Sequence, residues 1–134
     1  MRRITLAAAS AVAFAAVLAA AALGAPSAAI APHAYVARIS GAKPAVLNGT
    51  WRLTLTTSTF AVNKGATPAV SGRVRIAGSR ITFHDLGGPF ACRGAQATGV
   101  YSWRVTGERL TLTAVREPCA GRKTILTRPF TRVL

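Results

Sequence analysis

The strongest constraint on the fold is an alternation of apolar and polar residues with a period of two. It recurs in five segments, residues 51–56, 70–76, 80–84, 101–106 and 109–114. A period of two puts the apolar side chains on one face of a β-strand, whereas a helical face needs spacings of three and four. No segment after the N-terminal leader shows a helical period of useful length. The alternation therefore predicts an all-β domain built from half-buried strands.

Glycine-containing turns join these strands into a meander. Gly78-Ser79 and Gly107-Glu108 each separate two alternating runs, which is typical of tight hairpins. We predict further strands at residues 123–127 and, more briefly, after Pro129. An eighth strand could come either from residues 35–39 or from residues 57–62.

A meander with one apolar face buries that face most simply by curling up, which also removes exposed strand edges. The predicted fold class is therefore all-β. We expect an antiparallel up-and-down meander that is closed or nearly closed into a small barrel.

The N-terminus predicts export. Arg2 and Arg3 precede an uncharged, alanine-rich run at residues 4–24, and small residues follow at 27–29. This pattern is typical of a secretory signal peptide spanning residues 1–29, with cleavage after Ala29. The alternative is an uncleaved membrane anchor, because the apolar run approaches the length that spans a bilayer. We expect a secreted or cell-envelope protein.

The remaining chain divides into two parts. Residues 30–46 are predicted to be a linker or a loosely attached N-terminal segment, and residues 47–134 the barrel domain. A domain this small often needs a covalent staple. Cys92 and Cys119 are the only cysteines of the chain, and an even count in an oxidising compartment predicts a disulfide. The alternative, a pair of free or metal-binding thiols, lacks a histidine nearby in sequence to complete a zinc site.

Gly49-Thr50-Trp51, at the head of the first alternating run, resembles the signature of the lipocalin and calycin barrels. In that superfamily the tryptophan closes one end of the barrel, and a basic residue from the last strand region packs across it. The resemblance implies that Arg128 or Arg132 is this partner.

A second pattern supports the resemblance. Tyr101-x-Trp103, a hairpin, Leu110-x-Leu112 and then Cys119-x-Gly121-Arg122 are similar to a pattern of small secreted bacterial lipocalin-like proteins of unassigned function. The two patterns together cover residues 47–130. They imply a binding module for a small apolar or amphipathic ligand.

We expect Phe83, Tyr101 and Trp103 to line the ligand pocket of such a module. Small barrels are usually filled by their own side chains. The volume of the interior therefore decides whether a ligand fits.

Charge points to an alternative function. The chain has 17 lysines and arginines against three acidic residues, a net charge of +14, or +12 without the two arginines of the leader. The arginines on the predicted outer face are Arg52, Arg73, Arg75, Arg80, Arg104 and Arg109. The planar guanidinium fork of arginine binds phosphates and carboxylates well. The alternative is an envelope-associated protein that binds polyanions or anionic lipid through this surface, although a general bias towards arginine and alanine could also produce it.

Other functional classes are not expected. The only carboxylates are Asp85, Glu108 and Glu117, and no two of them are predicted to converge as an acid/base pair. His84 and Asp85 are adjacent, so they point to opposite faces of a strand. No nucleophile elbow, metal cluster or cofactor motif is present, and we predict neither an enzyme nor a cofactor. Nucleic acid is an unlikely partner for an exported chain, and the oligomeric state is left open.

Overall fold

A computed structural model describes residues 29–134, and the predicted signal peptide therefore lies outside the described residues except for Ala29. Eight antiparallel strands form one closed barrel in chain order. They are β1 (His33–Ile39), β2 (Gly49–Leu55), β3 (Thr59–Lys64), β4 (Thr67–Ala77), β5 (Arg80–Gly87), β6 (Thr98–Thr106), β7 (Arg109–Arg116) and β8 (Phe130–Arg132). The barrel closes where β8 pairs with β1, through Tyr35 opposite Arg132 and Val36 opposite Thr131. The predicted fold class is confirmed.

The two ends of the barrel differ. The hairpin turns after β2, β4 and β6 lie at one end, together with residues 29–32 and 133–134, and we call this end the mouth. Gly78 and Gly107 form two of these turns with φ angles of 57° and 60°, as their hairpins predict. The opposite end, the capped end, carries the helix α1 (Ala120–Leu126) and two short 3-10 helices, Ala45–Leu47 and Gly94–Gln96. No helix within residues 29–134 is long and apolar enough to cross a membrane.

Residues 30–46 were predicted to be a linker or a loosely attached segment, and this prediction is wrong for the part that forms β1. His33–Ile39 pairs with the full length of β2 and closes the barrel against β8. Tyr35, Ala37 and Ile39 point inwards and are buried. The barrel therefore begins at His33, because without this strand the edges of β2 and β8 would lack a hydrogen-bonding partner.

The predicted strand at residues 123–127 is also wrong, because these residues belong mostly to α1. Arg122, Ile125 and Leu126 are its buried residues, and spacings of three and four place them on one helical face. Both alternatives for the eighth strand, residues 35–39 and 57–62, contribute strands, and together they complete the count.

Aromatic side chains fill the interior. The rings of Phe60 and Phe83 meet edge to face at 5.1 Å, and those of Phe83 and Tyr101 at 5.7 Å. Gly72 makes room for this stack, since a Cβ there would lie 2.0 Å from the carbonyl oxygen of His84 and 2.7 Å from Phe60 Cε1. The packing leaves little space along the barrel axis.

Trp51 closes the capped end. It is fully buried, its indole N–H donates to the carbonyl of Leu47 at 2.8 Å, and its ring meets the edge of Phe90 at 5.4 Å. The cation over the ring is Lys64, whose Nζ lies 5.8 Å from the ring centroid.

The structure thus places Lys64, and not Arg128 or Arg132, against the tryptophan. β3 pairs with β2 so that Lys64 lies directly opposite Trp51. Arg132 instead lies opposite Tyr35 in β1, towards the mouth, and Arg128 lies between α1 and β8.

We predict that Trp51→Ala lowers the free energy of unfolding by about 3–5 kcal/mol, because it removes a fully buried ring and leaves a cavity. Val115→Ala is the matched control, since Val115 is 48% exposed and should change stability by less than about 0.5 kcal/mol. Urea denaturation followed by circular dichroism measures both. Equal midpoints for the two variants would contradict the role of Trp51.

Candidate functional site

A buried ionic cluster fastens the capped end. Arg122 of α1 reaches between Asp85 of β5 and Glu117, which follows β7, and the side chains of all three are almost fully buried. Its Nε and Nη2 donate to the two carboxylate oxygens of Glu117 at 2.6 and 2.7 Å. Its Nη1 lies 3.0 Å from Asp85 Oδ1 and donates to the carbonyl of Ala97 at 2.7 Å. The contact with Asp85 is an ion pair, because Oδ1 accepts no hydrogen bond from the residues that the structure describes.

The disulfide holds both carboxylates of this cluster in place. Cys92 and Cys119 are bonded, with their Cα atoms 6.2 Å apart, as the sequence predicts. The backbone N–H of Cys92 donates to Asp85 Oδ2 at 2.7 Å. The backbone N–H of Cys119 donates to Glu117 Oε1 at 2.9 Å. Each half of the disulfide therefore orients one carboxylate towards Arg122.

The pKa values of three groups in the cluster are shifted from their ordinary values. Burial by itself would raise the pKa of Glu117, but hydrogen bonds from Arg122, from the hydroxyl of Tyr101 and from the N–H of Cys119 outweigh it and lower that pKa. Burial, followed by the hydrogen bond to Glu117, raises the pKa of the Tyr101 hydroxyl above its ordinary value. Burial would lower the pKa of Arg122, but its hydrogen bond to Glu117 and the charges of both carboxylates raise it. The charges of Glu117 and Arg122 are thus fixed near neutral pH.

This cluster leaves the outer surface strongly positive. Asp85 and Glu117 are two of the three acidic residues of the chain, and both form ion pairs with Arg122. Glu108 is therefore the one exposed acidic side chain. Nine arginines are exposed, namely Arg38, Arg52, Arg73, Arg75, Arg80, Arg93, Arg104, Arg109 and Arg116. None of the nine forms a salt bridge within residues 29–134.

Five of these arginines share the outer face of β4 to β7, and we call them the basic face: Arg73, Arg75, Arg80, Arg104 and Arg116. The strand register runs across the sheet from Arg75 through Thr82 and Val100 to Arg116. Adjacent strands lie 4.7–4.9 Å apart, so the Cα atoms of Arg75 and Arg116 are roughly 14 Å apart. The basic face is thus a broad patch and not a single cluster.

The predicted surface arginines are all exposed, but the structure divides them. Arg73, Arg75, Arg80 and Arg104 share the basic face, and Arg109 lies beside it near the mouth. Arg52 lies apart, on β2 opposite Asn63.

Arg116 was missed by the sequence reasoning, because strict alternation after Leu110 and Leu112 points it inwards. A register shift between Val100 and Tyr101 makes Val115 the extra residue and turns Arg116 outwards.

Within residues 29–134, the three residues expected to line a ligand pocket do not line a common one. Phe83 and Tyr101 are fully buried in the aromatic core. The cavity enclosed between α1 and the barrel holds about 40 Å³, whereas pockets for small ligands typically hold roughly 300–1,000 Å³. Trp103 is only partly buried, near the mouth, and its indole N–H donates to the carbonyl of Gly78 at 3.0 Å.

Trp103 lines a different feature, an open depression of about 290 Å³ at the mouth. Its other lining residues are Ala29, Ile30, Ala31, Thr57 and Ile76. Ile30 fills the mouth from above, since it is 2% exposed and its carbonyl accepts a hydrogen bond from the Tyr35 hydroxyl at 2.7 Å. The depression is therefore open and mostly apolar.

We predict that acid destabilises the fold through Glu117. Because the folded pKa of Glu117 lies below its ordinary value of 4.5, its contribution to stability is complete above that pH and is lost as the pH falls through the folded pKa. Glu117→Gln should remove this dependence and lower the free energy of unfolding at pH 7 by roughly 3–5 kcal/mol, because Arg122 loses a buried partner.

Glu108→Gln is the matched control, because Glu108 is exposed in a hairpin turn. Urea unfolding at a series of pH values between neutral and acidic measures all three proteins. A Glu117→Gln variant with the parent's acid profile would contradict the assignment.

No protein-family model matches the chain, and neither the search of curated proteins nor the search of solved structures returned a match. Membership of the lipocalin-like proteins therefore stays a prediction from the sequence. What the chain binds is inferred from the geometry and charge of residues 29–134 alone.

Proposed function

We propose that this protein binds anionic partners through its basic face and recognises phosphate or carboxylate groups displayed on an extended surface. The observation that carries the proposal is the distribution of charge. Five exposed arginines share one side of the barrel without a salt bridge among the described residues. Two of the three acids that could neutralise them are buried against Arg122.

The rigidity of the barrel supports this use of arginine. Residues two apart on one strand, such as Arg73 and Arg75, have Cα atoms roughly 6.5–7 Å apart and point to the same side. Arg80 lies opposite Ser102 on the neighbouring strand. The backbone therefore fixes the Cα positions of several arginines at once. Each guanidinium group can bind a phosphate or carboxylate through two hydrogen bonds. The summed positive field also speeds the approach of an anionic partner.

The interior offers less support for a small-ligand carrier. The expected binding module needs an apolar cavity of several hundred Å³, and the cavity beneath α1 holds about 40 Å³. Carriage of a ligand inside the barrel stays a prediction. The basic face is preferred because it needs no rearrangement of the filled core.

The disulfide is compatible with an extracellular location. Together with the signal-like leader, it supports a proposal of export to the cell surface or envelope. Phosphate- and carboxylate-bearing polymers and lipid headgroups are the anionic groups that such a protein would meet there.

We predict that the protein binds long-chain polyphosphate with an affinity that falls steeply between about 50 mM and about 200 mM salt, because each neutralised phosphate releases counterions. The double variant Arg75→Gln/Arg116→Gln should weaken binding and reduce the slope of log affinity against log salt by about 1–2. Fluorescence anisotropy of labelled polyphosphate measures both quantities.

The matched control is Arg38→Gln/Arg52→Gln, which removes the same charge from β1 and β2, away from the basic face. It should retain most of the affinity. Equal losses in the two double variants would mean that net charge alone attracts the polymer, and would refute a specific face.

A further inference from the structure

The mouth carries an apolar surface that the basic face does not explain. The depression there is lined by the side chains of Ile76 and Trp103 and is filled from above by Ile30. The C-terminus lies at the same end, because the N–H of Val133 donates to the carbonyl of Ala34 at 2.8 Å, near the start of β1. The last residue, Leu134, is 95% exposed. Ile30 and Leu134, from the segments before β1 and after β8, therefore lie at the same end of the barrel.

Trp103 has the form of an interfacial tryptophan. Its N–H is already satisfied by the carbonyl of Gly78, at 3.0 Å, and its ring lines the open depression. A tryptophan with one polar group and a broad apolar ring favours the boundary between water and hydrocarbon. Trp51, in contrast, is fully buried at the capped end.

Three arginines of the basic face border this apolar patch. Arg75 precedes Ile76 on β4, and Arg104 follows Trp103 on β6, so each arginine points outwards beside an apolar residue of the depression. Arg80 begins β5 at the same end. Glu108 is the one exposed acidic side chain there, and Arg109 follows it.

We infer that the mouth docks on an anionic lipid bilayer, with Trp103 and Leu134 in the interfacial layer and Arg75, Arg80 and Arg104 on the headgroups. This inference rests on the proposed function and names its partner. A soluble polyanion would use the arginines but not the apolar patch, whereas an anionic bilayer complements both. The depression is open to solvent and mostly apolar, so its lining is available for contact with hydrocarbon.

The route of the chain agrees with this orientation. Ala29 lines the depression, so the chain enters the barrel at the mouth, and the apolar run at residues 4–24 precedes it in the sequence. If the leader is retained, the mouth is therefore the end of the barrel that is joined to it.

The test uses the protein recovered after export, with its N-terminus established by intact mass. Vesicles of phosphatidylcholine are compared with vesicles containing about one third phosphatidylglycerol, with and without brominated acyl chains. The protein should bind the anionic vesicles, and brominated lipid should quench its tryptophan emission. Trp103→Phe should abolish this quenching, because Trp51 lies buried at the other end.

Leu134→Asp should weaken partition into anionic vesicles by about tenfold, since it replaces an inserting apolar side chain with a charge. Leu86→Asp is the matched control, because Leu86 is 59% exposed but lies near the capped end, and it should bind as the parent does. Glu108→Gln should strengthen binding, because it removes the acid at the mouth. Leu134→Asp and Leu86→Asp carry the same added charge, so their polyphosphate affinities should be equal, and both should retain the parent's thermal midpoint.

The outcomes separate the two proposals. Binding of polyphosphate without binding of anionic vesicles would overturn bilayer docking and leave the basic face intact. Vesicle binding that does not quench Trp103 and does not depend on Leu134 would show adsorption through charge alone, which also overturns it. Where the leader stays attached, quenching of Trp103 is the deciding measurement. Failure to bind either probe would refute both proposals.

Discussion

The structure depends on the burial of Arg122 between two carboxylates. A buried guanidinium without partners would cost several kcal/mol, so the fold must deliver Asp85 from β5 and Glu117 from beyond β7 to the same point. The disulfide joins the two loops that do so, and α1 supplies the arginine. One interaction thus fixes the helix, the cap of the barrel and the position of both loops.

The same interaction shapes the surface. A chain with three acids and 17 basic residues has few charges with which to balance its arginines, and the cap uses two of the acids internally. The outer face of β4 to β7 is left positive as a consequence. Because the rings of Phe60, Phe83 and Tyr101 pack together inside the barrel, the proposed binding surface lies on its outside, where three arginines of the basic face border the apolar mouth.

Much of the fold follows from local chemistry that can be predicted. Alternation identifies the buried faces of β2, β4, β5, β6 and β7, and glycine predicts the turns at Gly78 and Gly107. Both features depend only on residues that are neighbours in the sequence. Alternation fails where it is short or broken. The four residues from Lys123 to Leu126 fit a strand or a helix equally well, and one bulge at Val115 reverses the side on which Arg116 points.

By itself, the sequence determined an antiparallel meander, a disulfide and an excess of positive charge, because each of these follows from residue type, spacing or count. Only the tertiary structure decided which groups meet. It set Lys64 over Trp51 through the register of β3 on β2, and it gathered Arg75 and Arg116 onto one face from strands 41 positions apart in sequence. It also packed Phe60, Phe83 and Tyr101 against one another inside the barrel. Such pairings depend on closure of the whole barrel, which brings together residues that no local pattern relates.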